Sequence, residues 1–449
     1  MLTAKRSLPA ATGQDPGMGW PVVALCLVQF VDVLGVTVVV TTLPAMLSDV
    51  GASPEDGTIV AVGYAMFFGG LLMFGARLGD RFGHRRCILG SLVAFAAGSL
   101  LTATATSVFV LSAGRCVQGA AAAIAVPSAL RLLTAVATDE RQRARAVAAW
   151  SAAGAAAGAS GFVVGGLVSA VGSWRLVFWG LLGVSAVLAA AVIRFVPARA
   201  TETGGGALNL AGSVLLTGAV MLAILFGEAP WLLLGSALLA GLFVLVDRRS
   251  SAPLVFSGVL RLPQVRRGAG GAFFNTATTG VVTLVTLHLQ GALGRTPLEA
   301  AATLLPLSLA VIPGSAVAAR LIVRRPAERV AAAGLLAIGA GLAVPLIAPA
   351  SVVLIGAGVA AAGFGLGLAS VATTSLATDV PEERRATSAG LANTSAQLGT
   401  ALGTAVLLLV AASTTGIPGA TDRTPWVAWA AAAVAAVAAS VVLASVRER

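Results

Sequence analysis

Uncharged apolar runs recur along almost the whole chain, broken by short polar stretches that carry most of the arginines. The run GTIVAVGYAMFFGGLLMF is followed by the charged stretch GARLGDRFGHRR (Gly75–Arg86), then by CILGSLVAFAAGSLLTATATSVFVLSAG. Roughly 20 apolar residues in a helix match the thickness of bilayer hydrocarbon. A transmembrane barrel needs shorter, alternating segments. The pattern predicts an all-α polytopic membrane protein with fourteen spans: 20–43, 57–78, 87–105, 107–130, 145–171, 174–196, 208–227, 229–246, 268–290, 297–322, 328–347, 350–377, 386–412 and 425–446. The breaks between spans 3 and 4 and between spans 7 and 8 are very short.

Charge orients these spans. With the N-terminus inside, 25 of the 29 Lys and Arg fall on the inner side, and only Arg175, Arg295 and Arg423 on the outer. Arg115 lies within a span. One span more or fewer would invert every later loop and destroy this asymmetry, which the positive-inside rule demands. The expectation is a multi-pass protein of the cytoplasmic membrane with both termini cytoplasmic. The net charge of +11 therefore reflects topology. No basic stripe interleaved with aromatics suggests nucleic acid.

Composition removes other classes. Hydrophobic residues are 57% of the chain and charged residues 10%, far from a soluble enzyme. The sole lysine is Lys5, so no Walker A loop exists. Two histidines and the scattered Cys26, Cys87 and Cys116 form no metal cluster, triad or disulfide framework. The N-terminus shows no cleaved signal peptide. No enzyme activity and no bound cofactor are expected.

The charged stretch has a degenerate copy. ARLIVRRPAER (319–329) matches ARLGDRFGHRR (76–86) at five of eleven positions, and each follows an even-numbered span. TDERQRARA near 138 and TDVPEERRATSAG near 378 each precede a Gly-containing span. The chain is thus read as two six-helix bundles, 1–200 and 266–449, with two extra helices and linkers in 201–265. The second linker, DRRSSAPLVFSGVLRLPQVRR, has the length for an amphipathic segment. Trp20, Trp174, Trp231, Trp426 and Trp429 fall near span ends, where indoles favour the membrane interface.

Several of these stretches resemble the major facilitator superfamily, and the layout resembles its fourteen-helix drug:proton antiporter branch. GARLGDRFGHRR is similar to the signature between spans 2 and 3. RCVQG (115–119) resembles the span-4 signature, SWRLVF (173–178) the opening of span 6, and GAAAGASGFVVGG (154–166) the glycine-rich antiporter signature of span 5. Ala76 replaces a family glycine, Ala159 and Ser160 replace a proline position, and Gly35 stands where the family has its span-1 acid. Asp32 lies three residues earlier, close to the same helix face. The resemblance implies export of a small hydrophobic drug or antibiotic in exchange for protons, by a monomer drawing on the proton gradient. An uncoupled facilitator, a specialised metabolite exporter and a membrane sensor on a transporter scaffold remain as alternatives.

The candidate residues follow. Asp32 is the one acid and Arg115 the one base inside any span. Intramembrane charges are costly and commonly functional, so both are candidates for proton coupling. The alternatives are a carboxyl bonded near Gln29 and Thr37, and an arginine bonded to backbone carbonyls. Gln29, Gln118, Asn275, Asn393 and Gln397 are candidate cavity groups, with interhelical hydrogen bonding as the equal alternative. Asp80, Arg81, Gly83, Arg85 and Arg131 are candidates for a conformational latch. Asp80 is expected near Thr387 and Ser388 and paired with Arg81 or Arg131; the repeat copy has Val323 in its place. Gly154, Gly158, Gly161 and Gly165 allow close packing or a hinge. His288 is expected to be solvated at a span end.

Overall fold

The structure is a computed structural model that describes residues 19–53, 57–137, 140–197, 209–224, 231–251, 253, 259–347, 349–413 and 424–444. The described residues fold into helices α1 (Trp20–Asp49), α2 (Gly57–Phe82), α3 (His84–Ala103), α4 (Val108–Val136), α5 (Glu140–Val171), α6 (Arg175–Phe195), α7 (Leu210–Ile224) and α8 (Leu232–Arg249). Then follow α9 (Pro263–Ala292), α10 (Pro297–Leu321), α11 (Ala327–Ile347), α12 (Val352–Thr378), α13 (Glu382–Ser413) and α14 (Thr424–Ala444). Each expected span has its helix, and no strand occurs among the described residues. Eleven of the described helices are long and apolar enough to cross a membrane.

Local chemistry sets the breaks. Ser107 caps α4 by accepting from the Val110 amide at 3.4 Å, which fixes the short break after α3. Thr296 and Glu299 form a capping box ahead of Pro297 and start α10. Between α2 and α3 the chain turns on Gly83 alone, at φ +91°, a conformation that favours glycine. The break between α7 and α8, and most of the first linker, lie outside the described residues. α9 is not uniform: it is α-helical over Pro263–Ala277 and Val281–Leu287, 3₁₀ over Thr278–Gly280 and π-helical over His288–Ala292.

Two main cores form. One is built from α1–α6 around Leu25, Ile88, Leu111 and Phe178. The other is built mainly from α9–α14 around Leu289, Leu304, Leu335, Ile355 and Trp429. Within the first, α2 and α4 cross so closely that a Cβ on Gly119 would stand 2.2 Å from the Tyr64 carbonyl oxygen. The halves meet along two seams, α2 with α13 and α5 with α10. At the end away from Gly83 they also meet through Gln290, which donates to the Thr41 carbonyl at 3.2 Å. The α7–α8 hairpin is clasped by Asn209, whose amide donates to buried Asp247 at 3.0 Å. α7 packs on both α2 and α13.

Of the tryptophans near span ends, Trp174 and Trp429 are buried in the protein, while Trp20 and Trp231 are exposed. The Trp174 indole donates to Asp49; Trp429 fills the second core beside His288. The side chain of Trp426 lies outside the described residues. Part of the second linker lies outside the described residues; at its described end Val259 is fully buried and packs with Val265, Val380 and Leu391.

Candidate functional site

The most concentrated polar site lies inside the first bundle. Asp32 on α1 is 6% exposed. It accepts a hydrogen bond from the hydroxyl of Tyr64 on α2. The Tyr64 ring in turn lies under Arg115 of α4, with the guanidinium carbon 4.6 Å from the ring centroid. Arg115 donates to the Gly35 carbonyl at 3.0 Å and to Gln118 Oε1 at 2.9 Å. Gln118 then donates to Ser99 of α3 at 2.9 Å. Asp32, Tyr64, Arg115, Gln118 and Ser99 thus form one buried chain across four helices.

The sequence builds this site by spacing. Asp32 and Gly35 share a face of α1, so one helix offers both the carboxylate and a carbonyl that Arg115 can reach. Arg115 and Gln118 are one turn apart on α4. The bare surface of Gly119 brings α4 onto the backbone of Tyr64. A buried guanidinium requires compensation, and here it comes from a carbonyl, an amide oxygen and an aromatic face. No ion pair joins Arg115 to Asp32. On its other side Asp32 borders a narrow cleft lined by Val28, Val31, Ser91, Leu92, Phe95 and alanines of α4. That cleft lies within the first bundle, not between the halves.

Gln29 and Thr37 are not the partners of Asp32. Gln29 faces α5 at Gly154, and Thr37 bonds back to the Val33 carbonyl at 3.0 Å. The sequence reading passed over Tyr64. Its signal was available: it is the only tyrosine in the chain, and a buried phenol needs a polar partner.

The remaining candidates separate into groups. Gln118 belongs to the buried chain above. Asn275 is buried within the second bundle, where it approaches the Leu366 carbonyl at 3.5 Å. Asn393 and Gln397 sit one turn apart on α13 along the seam with α2. Asn393 is exposed there, and Gln397 packs on Gly69. Gly154, Gly158, Gly161 and Gly165 form a stripe on α5 that faces α1 at Gln29, Val33, Thr37 and Thr41, and Gly158 also meets Ser308 of α10.

At the Gly83 turn, Asp80 pairs with His84 at 3.2 Å, not with Arg81 or Arg131. The turn folds the first residue of α3 back against the last turn of α2, and the His84 ring is buried between Gly79 and Ser128. Arg81 points away, over Phe82. Arg131 is exposed and acts on Asp80 only through its charge. Arg85 donates to the Ile193 carbonyl at 2.8 Å and ties the turn to α6. The Thr387 side chain lies outside the described residues; Ser388 is buried. His288 is also buried, not solvated: the π-helical turn carries it inward, 3.2 Å from the Pro349 carbonyl and edge-on to Trp429.

The chain matches the family model described as the Major Facilitator Superfamily over residues 25–404 and 269–449. It is 32% identical to the puromycin resistance protein of Streptomyces alboniger over 437 residues, covering 90% of this chain and 84% of that one. It is 33% identical to the cephamycin export protein of Amycolatopsis lactamdurans, covering 88% and 86%, and 30% identical to the tetracenomycin C resistance and export protein of Streptomyces glaucescens, covering 93% and 81%. Among solved structures, a peptide transporter in complex with sulfate aligns with a TM-score of 0.72 at 15% identity, covering 96% of this chain and 95% of that one. A human organic anion transporter aligns at 0.67 and 16% identity, covering 94% and 99%.

Proposed function

Because the chain belongs to the Major Facilitator Superfamily, we propose that this transporter exports a small hydrophobic drug or antibiotic across the cytoplasmic membrane, in exchange for protons. The names of its relatives support the substrate class: they are a puromycin resistance protein, a cephamycin export protein and a tetracenomycin C resistance and export protein. The buried Asp32–Tyr64–Arg115 chain carries the coupling. Asp32 is the only carboxylate inside a span, so it is the one acidic side chain there able to take a proton from one side and yield it to the other. Asp32 carries the proton, and Arg115 supplies a fixed positive charge that favours proton release.

The substrate path runs between the two bundles, whose seams are α2–α13 and α5–α10. In the present arrangement the halves touch at the end away from Gly83, through Gln290 and Thr41. The excess of basic residues on one side supports a cytoplasmic position for both termini and the Gly83 turn. The protein works as a monomer, needs no cofactor, and takes its energy from the proton gradient.

The test uses purified protein in proteoliposomes with a pH-sensitive dye inside, and puromycin as the first probe of a substrate panel. Substrate-dependent proton movement that Asp32→Asn abolishes, with substrate binding retained, is the expected result. Undiminished proton movement in Asp32→Asn would falsify the coupling role; substrate flux with no proton movement in the parent protein would make it an uncoupled facilitator.

A further inference from the structure

Among the described residues, Arg115 and Asp32 are the buried acid and base of the expected spans, yet they do not meet. Tyr64 stands between them. Its hydroxyl donates to the carboxylate, and its ring occupies the space against the guanidinium, 4.6 Å from centroid to carbon. Tyr64 is 1% exposed, and its backbone is pinned by the close crossing of Gly119. Arg115 is held in turn by Gly35 and Gln118. With the ring in place, the guanidinium has no direct path to the carboxylate.

A direct Asp–Arg pair in a water-poor interior would lock the acid in its charged form. A carboxylate with no partner at all would hold its proton too firmly to release it. A phenol between the two gives an intermediate setting. One neutral donor steadies the carboxylate, and the arginine acts across the ring without contact.

We propose that Tyr64 is the positioning residue of the proton site, a spacer that keeps Arg115 off Asp32 and so keeps Asp32 able to both load and release a proton. The proposal rests on Asp32 being the proton carrier. No bond other than O–H is made or broken. When Asp32 takes up a proton from water, the Tyr64 hydroxyl loses its anionic acceptor; when the proton leaves, the phenol donates again.

Because Tyr64 is the sole tyrosine, feeding 3-fluorotyrosine during expression labels this one site without changing any other residue. The fluorine resonance of the full-length protein in detergent should move with pH in a single step, and Asp32→Asn should remove that step. Transport gives the second readout. Tyr64→Phe keeps the ring under Arg115 and removes only the hydroxyl, so the pH at half-maximal proton release should rise by about one unit, with substrate affinity unchanged. Tyr64→Ala removes the spacer, lets Arg115 close on Asp32, and should move the midpoint the opposite way or stop proton release. A fluorine signal indifferent to Asp32→Asn, or a Tyr64→Phe profile superimposed on the parent, overturns the spacer role while leaving Asp32 as carrier. Proton release that survives Asp32→Asn overturns the parent reading instead, so the two failures are told apart.

Discussion

A Cβ placed on Gly161 would stand 1.8 Å from the hydroxyl oxygen of Thr37 and 2.7 Å from its Cβ. α1 and α5 are therefore in contact at bare backbone, and a methyl group cannot enter without moving a helix. Gly161→Ala should lower stability by about 1–3 kcal/mol through overpacking, read as a fall in the thermal unfolding midpoint in detergent. Gly183→Ala is the control. Nothing lies within 4 Å of the Cβ it would add, so its midpoint should stay level or rise slightly. Equal losses from both would show that the seam is looser than described.

The end of α1 yields a second expectation. Asp49 sits at the C-terminal end of its helix, an unfavourable place for an anion. It is offset by an ion pair with Arg175 and by the Trp174 indole at 3.3 Å. Arg175 also donates to the Ala105 carbonyl at 2.7 Å, so one guanidinium joins the ends of α1, α3 and α6. Lysine cannot make this fork. Arg175→Lys should reduce stability by about 1–2 kcal/mol, and Asp49→Asn by less, because the Ala105 bond survives. A larger loss from Asp49→Asn than from Arg175→Lys would contradict this division.

At the Gly83 turn the relevant quantity is the coupling between Asp80 and His84. Asp80→Asn and His84→Ala should each slow export, and the double variant should be little worse than either alone, a coupling of about 0.5 kcal/mol or more. Strictly additive losses would mean that the pair does not act as a unit.

Orientation is checked by labelling. After Cys26, Cys87 and Cys116 are replaced, Arg85→Cys should react from the cytoplasmic face and Asp56→Cys from the outside, as the arginine distribution requires. Both reacting from one face would refute the crossing between them, and exchanged faces would reverse the topology.

The sequence alone conveyed the helices well, because a bilayer fixes their length. Which way each helix faces was far less legible. The spans are apolar on every side, so no periodic stripe separates a core face from a lipid face. Trp174 and Trp429 show the consequence: both fall near span ends, and only packing shows that their rings face protein. Asp32 and Arg115 stood out because charge is rare in the spans. Tyr64 did not, because its partner lies thirty-two residues away on another helix and only packing brings them together. His84 was hidden likewise: the route by which it reaches Asp80 depends on the positive φ of Gly83.

The position of α7 makes the two seams unequal. A Cβ on Gly70 of α2 would fall 2.6 Å from the Thr217 hydroxyl oxygen of α7, and α7 also lies along α13. That flank is walled by the hairpin. On the other flank, α10 turns Leu309 and Ile312 outward, each more than half exposed. The two flanks therefore present different surfaces to the bilayer: the hairpin covers the α2–α13 seam, while beside the α5–α10 seam, closed by the approach of Gly158 to Ser308, α10 offers its own apolar side chains to lipid.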